Sequence, residues 1–202
     1  MLKFIAIGAA SAIVLAGCSN GSSSDDNGGT PITFNSFAEI EPAATAMQTT
    51  YTDPNGTLLM GITPATAADI PDSGSSAYQG FISGEIAGDD LIGELTITAT
   101  FAAGNGAISS EATNFYHETN GAYTGTLTGT GILVQDPPMG VSQVQTDVDG
   151  TLSNGGMDFA TMIALEGSVI ANGSDPVGAI AGTADGSVGG DFLDDGIFSA
   201  ER

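Results

Sequence analysis

Alternation with a period of two, punctuated by glycine, runs through most of this chain and confines it to sheet. Leu95, Ile97, Ala99 and Phe101 alternate with Glu94, Thr96, Thr98 and Thr100. Tyr123, Gly125, Leu127, Gly129, Gly131 and Leu133 alternate with Thr124, Thr126, Thr128 and Thr130. Val144, Thr146, Val148, Gly150 and Leu152 alternate with Gln143, Gln145, Asp147, Asp149 and Thr151, and a further run spans Phe159 to Val169. Successive side chains of a strand point to opposite faces, so each run marks a strand with one buried face. Turn clusters stand between them: Gly88-Asp89-Asp90, Ala103-Gly104-Asn105-Gly106, Asn120-Gly121, Asp136-Pro137-Pro138, Ser153-Asn154-Gly155-Gly156 and Asn172-Gly173-Ser174-Asp175-Pro176. These are hairpin signals. No sustained helical stripe is evident after the first residues, and the expected class is all-β.

The alternation predicts eight strands, over 77–87, 92–102, 107–117, 122–134, 141–152, 157–170, 177–185 and 195–201. Most exceed the usual strand of about 5–6 residues. Long strands favour an eight-stranded antiparallel up-and-down β-barrel, because closure removes the edges that invite aggregation. Glycines within strands permit the coiling a barrel needs. Eight strands enclose a space that side chains fill or that holds one small ligand, and filling is the ordinary case. A membrane-spanning barrel fits poorly. It needs aromatic girdles and an apolar outer band, whereas this chain has no Trp, 4 Tyr and outward faces of Thr, Gln, Glu and Asp.

The first residues read as an address. Lys3 precedes the apolar run Phe4 to Leu15, which ends in Ala16-Gly17 before the single cysteine, Cys18. A positive start, a short apolar stretch and small residues before a cut make a secretory signal, and the stretch is too short to span a bilayer, which takes roughly 20 residues. Leu15-Ala16-Gly17-Cys18 resembles the lipobox of bacterial lipoproteins. The resemblance implies that residues 1–17 are removed and that Cys18 becomes an acylated N-terminus. Ser19, where aspartate would signal inner-membrane retention, implies the outer membrane. With Cys18 acylated, no thiol remains for disulfide, metal or nucleophile. Residues 18–31 then form a flexible tether whose Gly, Ser, Asn and Asp cannot bury apolar surface.

Charge narrows the partners. The chain carries 24 Asp and Glu against 2 basic residues, Lys3 and Arg202, and Lys3 leaves with the leader. Nucleic acid and anionic head groups need Lys and Arg to offset phosphate and are excluded. A neutral or basic protein remains as a partner, met through the loops farthest from the tether.

Residues 32–76 are expected to form a short β-rich N-terminal appendage packed on the 77–202 barrel. Ile32 to Phe37 and Thr57 to Thr63 read as its strands, and Asp53-Pro54-Asn55-Gly56 as the turn between them. About 45 residues rarely fold alone without disulfides or metals.

Catalytic chemistry lacks parts. With one His, no Lys in the mature chain, no free thiol and no Gly-x-Ser-x-Gly elbow, Ser-His-Asp, Cys-His and Schiff-base arrangements lack parts or context. Asp89-Asp90 and Asp147/Asp149 are carboxylate pairs of glycosidase type, yet they fall on a turn and an outward face, where solvated charge is the ordinary explanation. Tyr116 and His117 are haem-ligand types, but neighbours on a strand face opposite ways, so only one can meet a given iron. Asp191, Asp194 and Asp195 follow Gly189-Gly190 as a single degenerate copy of a calcium-type Gly/Asp repeat, which needs stacked copies to bind. The expectation is no enzyme, no metal and no cofactor.

The order of features completes the reading. A lipobox, a Gly/Ser/Asp tether, Ser36-Phe37-Ala38-Glu39-Ile40-Glu41-Pro42, a Tyr78-Gln79-Gly80 strand opener, glycine-threonine hairpins and a closing Gly196-Ile197-Phe198-Ser199-Ala200-Glu201-Arg202 follow one another. Together they resemble small lipoproteins with a transferrin-binding-protein-B-like β-barrel. Receptors of that family have two lobes, each with a barrel and a handle; this chain has room for one barrel. The resemblance implies a surface-exposed outer-membrane lipoprotein of a Gram-negative bacterium, acting as a binding module for a protein or a small iron-bearing ligand. Transferrin itself does not carry over, because the host-binding loops have no counterpart here. The alternative is a structural envelope or coat lipoprotein without a dedicated ligand.

Overall fold

The computed structural model describes residues 34–135 and 140–202. Cys18, the 1–17 leader, the 18–31 tether and the Asp136-Pro137-Pro138 turn lie outside the described residues. Among the described residues, nine strands follow a single helix α1 (Phe37–Tyr51): β1 (Ser73–Ile86), β2 (Asp89–Ala102), β3 (Asn105–His117), β4 (Gly121–Tyr123), β5 (Leu127–Val134), β6 (Gln143–Asn154), β7 (Met157–Asn172), β8 (Asp175–Val188) and β9 (Asp191–Glu201). Every pairing is antiparallel, running β1–β2–β3–β5–β6–β7–β8–β9, and β9 pairs back onto β1. Eight strands thus close a ring, with β4 paired on β3 beyond the end of β5. The all-β class follows from the alternating runs.

Several boundaries differ from expectation. β1 begins at Ser73, so a division at residue 77 would cut a strand. The 122–134 run is two strands, because Gly125 has φ +131° and a Cβ there would collide with the Thr151 carbonyl oxygen. The 189–195 segment is mostly strand: Gly189 and Gly190 alone make the turn, and Asp191, Asp194 and Asp195 belong to β9.

One bulge reorients β3. Asn114 has φ +50°, a conformation Asn tolerates, and the β2–β3 register slips between Ile92 and Glu94. Ile108 and Ala112 point inward before the bulge, and Phe115 and His117 after it. Gly93 lies against the bulge, where a Cβ would come within 2.5 Å of the Phe115 ring.

A contiguous core occupies the interior, built from Tyr78, Leu95, Ile97, Leu127, Leu133, Val144, Leu152, Leu165 and Phe198 among others. Inside it the hydroxyls of Ser110 and Thr146 satisfy each other at 3.0 Å.

The 32–76 segment is not the expected β appendage. Residues 37–51 form α1 with Ser36 at its N-cap position, and the Glu39 carboxylate accepts the Asn35 backbone N–H at 2.8 Å. Serine followed three residues later by glutamate is a helix-start signature. Pro42 lies exposed within the helix and removes its own N–H from the ladder. Ile40, Ala44, Gln48 and Tyr51 recur at helical spacing and form the buried face. That face lies on the outside of the ring, where Ile40 and Ala44 pack on Phe81 and Ile92, and Tyr51 on Ile170, Ala179 and Ala181. Gln48 donates to Ser83 Oγ at 2.9 Å, and Tyr51 donates to Glu201 Oε1 at 2.6 Å.

The Asp53–Gly56 turn does form, with Asp53 Oδ1 accepting the N–H groups of Asn55 and Thr57 at 2.9 and 3.0 Å. Beyond it the chain crosses the ring. Ala65 N donates to Val169 O and accepts from Ser142 N through its carbonyl, both at 2.8 Å. Ala65 and Ile70 thereby join the interior core.

Candidate functional site

The pairing order sets two ends. At the first lie the turns at 87–88, 118–120, 155–156 and 189–190; at the second lie 103–104, Gln135, 140–142, 173–174 and Arg202. Phe34, the first described residue, sits toward the first end. Tyr116 Oη donates to its carbonyl at 2.7 Å, and its ring stands edge-on to Phe81 at 5.8 Å. Helix α1 then leads to Glu201 and the Ala65–Ile70 crossing at the second end. His117, Tyr123 and Phe159 close the first end, with ring centroids 6.0 and 5.4 Å apart.

Tyr116 and His117 face opposite ways, as strand geometry requires. The His117 ring is buried. Its Nδ1 accepts the N–H groups of Thr119 and Asn120 at 3.2 and 3.3 Å, which assigns the ring proton to Nε2. His117 therefore secures the 118–120 turn, and Thr119 Oγ1 donates onward to Asp89 Oδ2 at 2.9 Å. Asp90 supplies its carbonyl to Glu118 N at 2.9 Å. Both members of the Asp89-Asp90 pair are thus tied into the turn geometry. Asp147 and Asp149 are exposed on the outer face of β6. Among the described residues no group of three or more His, Cys, Asp or Glu is placed to hold a metal, and this includes Asp191, Asp194 and Asp195.

Among the described residues, burial and hydrogen bonding perturb Tyr78, Tyr51 and Asp69. Burial pushes the Tyr78 phenol up to about 12, and the neighbouring Asp175 and Arg202 charges act on it in opposite senses. Its Oη donates to Val177 O at 2.8 Å. Burial, then the Glu201 carboxylate, holds the Tyr51 phenol well above its ordinary range. Thr66 donates through its hydroxyl and its N–H to Asp69 Oδ2, at 2.7 and 2.8 Å, and this lowers the Asp69 carboxyl.

The registers gather what spacing alone could not. On the outer wall, Asp149 pairs with Met162, Met162 with Ser187, and Ser187 with Phe192. The neighbouring row runs Asp147–Ala164–Asp185, and on the next strands Glu85 stands directly opposite Asp194. Glu166 completes an exposed belt of carboxylates across β6 to β9 and β1. Phe192 is 77% exposed and Met162 61%. Both fill outward positions, where the alternation leads one to expect polar residues. That mismatch was legible in the sequence, but their placement astride Ser187 was not. The single described cation, Arg202, stands at the second end and is held 2.5 Å from Asp175 Oδ2. Two shallow outer grooves of about 280 and 310 Å³ share Gln145 and Glu166 and are lined mainly by backbone and small polar groups. The chain matches no protein-family profile, no curated protein and no solved structure.

Proposed function

We propose that this chain is a lipid-anchored binding module. The closed ring serves as an up-and-down barrel of the transferrin-binding-protein-B-like lipoprotein type. Acylation of Cys18 holds it to the outer membrane, and it meets a neutral or basic protein partner at the cell surface. The observation that carries the binding half of this reading is the outer wall of β6 to β9. It presents exposed carboxylates and two exposed apolar side chains, with no cation facing it among the described residues. The lipid half rests on Leu15 to Cys18.

A protein is favoured over a small iron-bearing ligand. Packed side chains occupy the interior that would house such a ligand, and Tyr116 and His117 divide between the two faces. Catalysis is disfavoured because His117 spends its Nδ1 on two turn N–H groups, and the one hydroxyl beside that nitrogen, Thr119 Oγ1 at 3.3 Å, gives its proton to Asp89 Oδ2.

Metabolic labelling with a palmitate analogue in a diderm host tests the anchor. The wild-type chain is expected to take the tag and Cys18→Ala to lose it; equal labelling of both overturns the lipoprotein assignment. Protease shaving of intact cells, with release of the 34–202 region expected, tests surface display. A labelled, surface-exposed chain that retains neither neutral nor basic proteins at low salt is a coat lipoprotein instead.

A further inference from the structure

We infer that Met162 and Phe192, on either side of Ser187 and bordered by carboxylates, form a docking surface for a cationic protein segment carrying apolar side chains. The inference rests on the binding-module reading above and gives that module a surface and a partner chemistry. The two side chains stand on β7 and β9 with β8 between them, so their Cα atoms are roughly 10 Å apart. Ser187 is small, which leaves a shallow saddle between a thioether and a phenyl ring. Both are flexible or broad apolar contacts of the type enriched in interface centres. Asp149 continues the row on β6, and Asp185 and Asp194 stand two residues from Ser187 and Phe192 on the same outward face.

Charge selects the occupant. A second copy of the chain would bring the same carboxylates face to face at a formal charge of −22 each. An anionic head group meets the same repulsion. The chain's own residues 19–33 carry two Asp, no cation and only Ile32 as a large aliphatic, so they complement neither the charge nor the apolar saddle. A basic segment with Leu or similar side chains satisfies both. Lys or Arg pairs with the ring of carboxylates, steering encounter, while the apolar groups cover Met162 and Phe192. The expected contact thus shifts from the loops farthest from the tether to the side wall. The tether permits this, since about fourteen residues reach roughly 48 Å at full extension.

The chain has no Trp, so Phe192→Trp provides a unique reporter. The test uses the full mature chain with Cys18→Ser, and two peptides of equal charge, one amphipathic Lys/Leu and one Lys/Ser. The Lys/Leu peptide is expected to bind at low salt, to blue-shift the Phe192→Trp emission, and to lose at least about tenfold in affinity for the Met162→Ser/Phe192→Ser chain. Phe192→Tyr is expected to retain binding. Ile132→Ser, which removes another exposed apolar residue, should leave it unchanged. The Lys/Ser peptide is expected to bind weakly and to ignore all these substitutions. Affinity for Lys/Leu independent of Met162 and Phe192, an unshifted emission, or no binding at all overturns the inference. So does Phe192-dependent partitioning onto phosphatidylcholine vesicles, which would mark the patch as a membrane contact. Palmitate labelling reads the anchor independently: a labelled chain with no patch-dependent binding removes this inference and leaves the lipoprotein reading standing.

Discussion

Raising the pH from 8 to 12 is expected to expose the buried phenol of Tyr78 as a stability term. Tyr78 is fully buried and donates to Val177 O at 2.8 Å. Burial lifts its pKa from 10.0 to about 12 in the folded chain. An unfolded phenol ionises near its ordinary value, so between pH 10 and 12 the native state binds more protons than the unfolded one. Stability therefore falls as pH rises through that window and is fully present below it. A difference of about two units is roughly 3 kcal/mol. Tyr51, raised by burial and by Glu201, adds slope of the same sign. Tyr78→Phe separates the contributions. At pH 8 the variant should be less stable by about 1–3 kcal/mol, because the buried Val177 carbonyl loses its donor. It also loses the proton uptake, so its stability should decline less steeply above pH 10. The two proteins should converge near pH 12. Urea denaturation followed by far-UV circular dichroism at a series of pH values, with tyrosinate absorbance alongside, measures both effects. Parallel stability curves from pH 10 to 12 would refute the assignment of the slope to Tyr78.

Two further outcomes test the packing and the charge. Ile40→Ala should lower stability by about 2–5 kcal/mol, since the buried Ile40 fills the contact between α1 and the Phe81–Ile92 patch; thermal unfolding reads this, and a change near zero would mean that α1 is not docked there. Glu85→Lys replaces a directly opposed pair of carboxylates with an ion pair to Asp194, and should stabilise the chain by about 0.2–1 kcal/mol, with the gain shrinking as salt rises; an equal gain in high salt would remove the electrostatic explanation.

The alternation was legible because a strand buried on one face must read apolar–polar, and the turn clusters stood where φ is positive, as at Gly88, Gly104, Gly155 and Gly173. Helix α1 was not legible by the same route. Its buried face includes the small Ala44 and the polar Gln48, Pro42 interrupts it, and the Ser36–Glu39 start signal precedes a weakly amphipathic run. Phe81, Ile92 and Ile170 fill outward positions of their strands, where an apolar residue looks like an error in the alternation until α1 and the 52–62 segment cover it.

The site divides in the same way. Local spacing placed Asp147 and Asp149 on one outward face, separated Tyr116 from His117, and set the sign of the charge, because period and composition are properties of the chain itself. Whether β9 returns to β1, which carboxylate stands opposite Met162, and that Asn114 turns His117 into the interior were decided only by the closed sheet. Those facts depend on register and bulges between strands far apart in sequence, and a one-residue slip in any of them would have sent every side chain beyond it to the other face.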